Sequence, residues 1–347
     1  MRKTTITALG ASLLAISLTP PVLAQQSGHP HQALTSEQKQ QQAFPIIGMK
    51  MFIEVDSDTT NGTVAVVRSY VPPKSGPPAK VQDREDLLFT IVRGHYRFRY
   101  GDKEIDAPPG TSVFLPRKIP HVVRNVSDQP GEHIVTMVPG GLEKMFREIS
   151  AAKLELPRDI AKLDEISARY GIKNLPPASM VFSNPQQSGH PHQPLGPDQK
   201  QQQAFPMAGA KMFVEVDSDQ TNGAVAVVRA YVPPKFGPSP HVHSREDEIY
   251  TIVRGHYRFR HGTEVIDAPA GTVVFLPRNV PHAFANIGDG PGEHILTLVP
   301  GGLEKMFREV AAAQIELPRD LAKFREISAK YGLKFVPRES MPISAGR

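Results

Sequence analysis

The strongest constraint on this sequence is internal. Ser27-Gly28-His29-Pro30-His31 returns 161 residues later as Ser188-Gly189-His190-Pro191-His192. The same offset relates Gly94 to Gly255, Pro116 to Pro277, His121 to His282 and Gly171 to Gly332 without a gap, and roughly two thirds of the aligned positions are identical. A period this long marks a domain duplication rather than a solenoid. A chain of 347 residues holds two domains of ordinary size, each with its own core. The join is expected near 176–187, a stretch rich in Pro, Ser and Asn, which gives a first domain over 25–183 and a second over 184–347.

Residues 1–24 stand apart from both copies. Arg2 and Lys3 precede an apolar run from Ile6 to Leu18, and Val22-Leu23-Ala24 offers small or modest residues for cleavage. The pattern predicts a secretory signal peptide and a periplasmic or secreted protein, with no membrane attachment once it is removed. Losing Arg2 and Lys3 trims the small basic excess of 40 Lys+Arg over 35 Asp+Glu, and no basic stripe with interleaved aromatics appears, so nucleic acid is not expected as a partner. The chain has no cysteine, which excludes disulfides, thiolate metal sites and a cysteine nucleophile, and suits an oxidising compartment.

Each copy follows one internal plan. Val64–Val71 and Val225–Val232 are β-branched runs that stop at Pro-Pro, and Leu88–Val92, Ile249–Val253, Thr272–Leu276 and Ile295–Val299 are further short strands closed by Gly or Pro. Strands at spacings near ten residues predict an all-β sandwich or barrel. The tail of each copy changes period: Leu303, Met306, Phe307 and Val310, then Leu321, Phe324, Ile327 and Tyr331, define two short amphipathic helices that cover the β unit.

The chemistry concentrates in the second copy. His241-Val242-His243 on a strand puts two imidazoles on one face. Glu248 follows after a polar turn and shares strand parity with Tyr250 and Ile252; His282 offers a third imidazole from a neighbouring strand. Three imidazoles and a carboxylate suit one divalent transition metal, iron foremost, with manganese, nickel, cobalt, copper or zinc as alternatives. A carboxylate that partly leaves such an ion can act as a base.

These spacings resemble the cupins. Gly237, His241, His243, Glu248 and Gly255 match the first cupin motif apart from a shorter gap after the leading Gly; Gly271, Pro277, His282 and Asn286 match the second, with Asn279 where Gly is usual. Asn is the non-Gly residue best suited to a left-handed turn. The resemblance implies an all-β fold of two tandem jelly-roll barrels, a bicupin, with His241, His243, Glu248 and His282 as metal ligands. It is closest to the quercetin-dioxygenase-like cupins. That implies a metal-dependent dioxygenase acting on a small enol or phenol, with Glu248 taking the substrate proton and Tyr250 beside it. Two other readings remain open: a non-catalytic small-molecule or metal-binding cupin, and an oxalate-decarboxylase-like enzyme.

The first copy has lost the donors. Lys80, Gln82 and Leu87 stand where the second has His241, His243 and Glu248; only His121 is kept, and Phe89 replaces Tyr250. A metal-free barrel is expected, serving as the second half of a pseudo-dimer within one chain or binding an anion through Lys80, with room for a higher oligomer. His29, His31, His190 and His192 read as arm or linker residues, since Pro interrupts a regular ladder. His256 and His261 are expected to flank a turn, Arg254 and Arg258 to lie near the barrel mouth, and His133 and His294 to be structural.

Overall fold

The computed structural model describes residues 31–176, 179–182 and 194–343. The expected signal peptide, His29, His190, His192 and most of the expected join lie outside the described residues. No helix among the described residues is long and apolar enough to cross a membrane.

Each copy forms two facing sheets, the all-β unit that the strand spacing predicts and the jelly-roll barrel that the cupin resemblance implies. In the first copy the larger sheet runs Phe44–Ile46, Met49–Val55, Ala65–Val71, Gly131–Val138, Asp86–Arg93, Ser112–Leu115. The facing sheet runs Ile172–Asn174, Lys80–Gln82, His121–Asn125, Tyr96–Tyr100, Lys103–Ala107. In the second copy the larger sheet runs Phe205–Met207, Ala210–Val216, Ala226–Val232, Gly292–Val299, Asp247–Arg254, Val273–Leu276. Its facing sheet contains Glu264–Pro269, His256–His261, His282–Asn286, His241–His243 and Leu333–Phe335. One more strand joins that sheet from the first copy: His31–Gln32 pairs parallel with Glu264–Pro269, His31 opposite Ile266.

Every residue of Ala65–Val71 is buried, Arg68 and Ser69 included, because both faces of this strand are covered, the condition that removes polar alternation from a strand. Ala65, Val67 and Val71 enter the core of the first barrel, whereas Val64 and Val66 join Leu88, Ile134, Val227, Ile249 and Ile295 in a separate apolar layer between the barrels. The larger sheets therefore pack back to back.

Charges close the seam with pseudo-twofold symmetry. Arg68, wholly buried, pairs with Glu54 and Glu132 and donates from Nη2 to the Gly271 carbonyl of the other half at 2.7 Å. Arg229 repeats this with Glu215, Glu293 and the Gly110 carbonyl, again at 2.7 Å. Lys39 and Lys200, from the helices Ser36–Gln42 and Pro197–Gln202, reach the same two carbonyls. Gly271 has φ +89°, a backbone conformation that calls for glycine.

The helices Leu142–Ala152 with Ile160–Arg169, and Glu304–Ala312 with Leu321–Lys330, close one end of each barrel. Leu303, Met306, Phe307, Val310, Phe324 and Ile327 are buried as their spacing requires. Leu321 departs from the expected apolar face: it is 39% exposed, at the first position of its helix. His256 and His261 do not flank a turn; they are the two ends of a single strand.

Candidate metal centre

The site lies where the two sheets of the second barrel face each other. The strand His241–His243 buries both imidazoles and leaves Val242 half-buried, as a period of two dictates. His282 opens the adjacent strand and sits directly opposite His241 in register. Asn279 secures that connection: its φ is +64°, the left-handed turn expected there, and its N–H donates to the His243 carbonyl at 2.7 Å. Glu248 comes from the opposite sheet, paired with Leu276 and Leu298.

One donor atom from each of His241, His243, Glu248 and His282 lies within 4.8 Å of the others, and all four residues are buried. The imidazoles are oriented from behind. His241 Nδ1 bonds the Ser239 carbonyl at 2.8 Å and His282 Nδ1 the Val280 carbonyl at 3.1 Å, which leaves each Nε2 as the free donor. His282 Nε2 lies 3.0 Å from Glu248 Oε2 and His243 Nε2 lies 3.5 Å from Glu248 Oε1, yet neither ring nitrogen makes an aligned hydrogen bond. Buried nitrogens left unpaired around one carboxylate cost free energy unless something else satisfies them. A divalent cation does so, and the donor set fits one.

Electrostatics agree. Burial alone would raise the Glu248 carboxyl, but His243, His282 and His241 hold it far below its usual range, so it is an anion. Burial, then His282 and His243, push His241 down to about 3, keeping it the neutral ligand form. Burial also opposes the charge on His282, but Glu248 outweighs it and raises that group. Tyr250, 2% exposed, is pushed up by burial and by Glu248, so its phenol stays protonated and donates to Glu248 Oε2 at 3.2 Å.

The cupin domain family matches residues 67–137 and 228–298. The chain is a two-domain cupin. Among solved structures the bicupin is similar to the Lactobacillus farciminis oxalate decarboxylase formate complex, with TM-score 0.53 and 16% identity over 81% of this chain and 93% of that one. It is likewise similar to the Bacillus subtilis oxalate decarboxylase, with TM-score 0.51 and 16% identity over 85% of each chain. At that identity the likeness concerns the fold. No curated protein sequence matches the bicupin.

His241, His243 and Glu248 line a cavity of about 1270 Å³. Most of its lining is apolar, from Met212, Phe236, Phe284, Phe324, Leu333 and Phe335 among others. Leu321, which the helix pattern assigned to the core, lines this cavity. In the first barrel Ile47 and Met49 replace Ala208 and Ala210, and the corresponding cavity shrinks to about 100 Å³.

The other sequence candidates lie elsewhere. Arg254 sits 3.6 Å from Glu293, Arg258 pairs with Asp267 at 2.7 Å, and neither lines the cavity. Asp247 is taken up by Arg278, and Glu246 Oε2 is buried 3.8 Å from His243 Nδ1, behind the ligand rather than among the four. His294, expected to be structural, lines the cavity with an unpaired Nδ1, its ring 5.1 Å from that of Tyr250. Strand register carries that signal, since His294 stands opposite Ile252, which shares the inward parity of Glu248 and Tyr250.

Proposed function

We propose that the bicupin is an exported, metal-dependent dioxygenase of the quercetinase type. One divalent transition metal, iron foremost, would be held by His241, His243, Glu248 and His282. The observation that carries this reading is the pairing of a three-histidine, one-carboxylate donor set with a large apolar cavity. A site of that shape suits a flat aromatic enol or phenol whose oxygen reaches the donors while its rings lie against Phe284, Phe324 and Phe335. Oxalate is a small dianion that leaves most of a 1270 Å³ apolar cavity unused. When bound, the metal supplies Lewis acidity and a meeting point for the substrate oxygen and dioxygen.

The chain's own residues have separate tasks. Glu248 accepts the hydroxyl proton of the substrate, because its carboxylate is ionised at rest and faces the cavity. Tyr250 holds that carboxylate by its hydrogen bond, and the apolar wall excludes water.

The test joins two measurements on the full chain. Bound metal is counted by mass spectrometry in wild type and in His243→Ala, and oxygen uptake is followed with a panel of flavonols and catechols. The expected result is about one redox-active metal per wild-type chain, almost none in the variant, and metal-dependent oxygen uptake. Stoichiometric binding of flavonol without uptake would favour a binding module, and carbon dioxide release from oxalate would favour the decarboxylase reading.

A further inference from the structure

We propose that the first barrel is a separate binding site for a small carboxylate with a short apolar tail, the carboxylate being held by Lys80, Ser69 and His133. Three residues of this barrel reverse the logic of the metal site. Lys80 brings a cation to the place of His241, Leu87 removes the carboxylate of Glu248, and Ser69 adds a hydroxyl where the second barrel has Ala230. A site built for a cation has become one that favours an anion.

The polar groups await a partner. Lys80 lines the cavity of about 100 Å³ and makes no hydrogen bond or ion pair among the described residues. Ser69 and His133 are 1% and 5% exposed, face each other in register on neighbouring strands and line the same cavity, with Ser69 Oγ and His133 Nδ1 both unpaired. Lys80 comes from the facing sheet, and its charge acts on His133, so the three groups surround one space. A carboxylate accepts from all three and removes their desolvation cost.

The remaining wall is apolar: Met51, Leu87, Phe89, Val123, Val135 and Met137. A cavity of about 150 Å³ holds the six carbons of benzene with room to spare, so 100 Å³ accommodates at least about four non-hydrogen atoms. That spans acetate and, with one methylene more, propionate.

The experiment is calorimetric titration of the full chain with propionate and with its neutral analogue propionamide, in wild type, Lys80→Met, Ser69→Ala and His243→Ala. The last variant removes chelation by the second barrel, which keeps this proposal separate from the metal reading. Expected are one propionate bound in wild type and in His243→Ala, at least tenfold weaker binding in Lys80→Met and for propionamide, and a smaller loss in Ser69→Ala. Circular dichroism confirms that each variant is folded, and Ser69→Ala tests the site even if Lys80→Met does not fold. Equal affinity for propionamide, full binding by either first-barrel variant, loss of binding in His243→Ala, or no binding by about 50 mM ligand would each overturn the proposal.

Discussion

The Tyr250 hydroxyl donates to Glu248 Oε2 at 3.2 Å from the same strand, with one residue between them. The two are lost together in the first barrel, where Leu87 and Phe89 occupy their places. The tyrosine thus belongs with the carboxylate rather than with the barrel core, since Phe serves the core equally well.

Tyr250→Phe is expected to fold and to keep its metal, because no ligand atom is removed. A hydrogen bond to a charged group contributes about 1.5–3 kcal/mol, so turnover should fall roughly 10- to 100-fold. Metal analysis beside oxygen uptake checks this; loss of metal along with activity would mean that Tyr250 builds the site instead of tuning it.

Asn279→Val places a β-branched residue at φ +64°. The strain should cost on the order of 1–3 kcal/mol and disturb the turn that bonds the His243 carbonyl. Chemical denaturation should show the loss, with weaker metal retention under a chelator. Asn279→Gly should lose neither.

Arg68→Ala leaves Glu54 and Glu132 buried without their main partner. Breaking such a cluster costs about 3–5 kcal/mol. The urea midpoint should drop accordingly, and Arg229→Ala should match it, because the second network is the image of the first.

Lys80→Met should stabilise the protein. Burial lowers the Lys80 amine from 10.5 to about 8 despite the nearby Glu85, so the unfolded chain binds more protons between those values. The resulting penalty is complete below pH 8 and fades as pH rises toward 10.5, which predicts a gain of about 2–4 kcal/mol at neutral pH that closes in alkali. Denaturation at pH 7 and pH 10 measures the difference.

His133→Phe should gain on wild type as pH falls. Burial, with Lys80, pushes His133 from 6.5 down to about 3, so wild type loses stability from this group as pH drops below 6.5. The gap should move toward the variant by up to about 1.4 kcal/mol per pH unit. The whole protein responds less steeply, since burial raises Glu85 and Glu246 to about 7 and these titrate in the opposite sense.

Much of this was legible in the residues. Strand parity brought Glu248 and Tyr250 to one face, and the His-x-His spacing placed His241 beside His243. Parity does not report which sheet faces which, so the cavity walls, the inward place of His294 and the opposition of His133 to Ser69 needed the folded chain. The seam was hidden for a similar reason: Gly271 reads as a turn residue, but its carbonyl receives Arg68 from the other half. Leu321 and the His256–His261 strand escaped because helix ends and short hairpins are set by tertiary contacts more than by local pattern.

The reciprocal seam also leaves the two barrel interiors free to differ. Arg68, Glu54, Glu132 and the Gly110 carbonyl all lie outside the positions where the donors were exchanged. Exchanging His241, His243 and Glu248 for Lys80, Gln82 and Leu87 therefore leaves the seam intact. Either interior can be refitted while the two halves stay braced against each other.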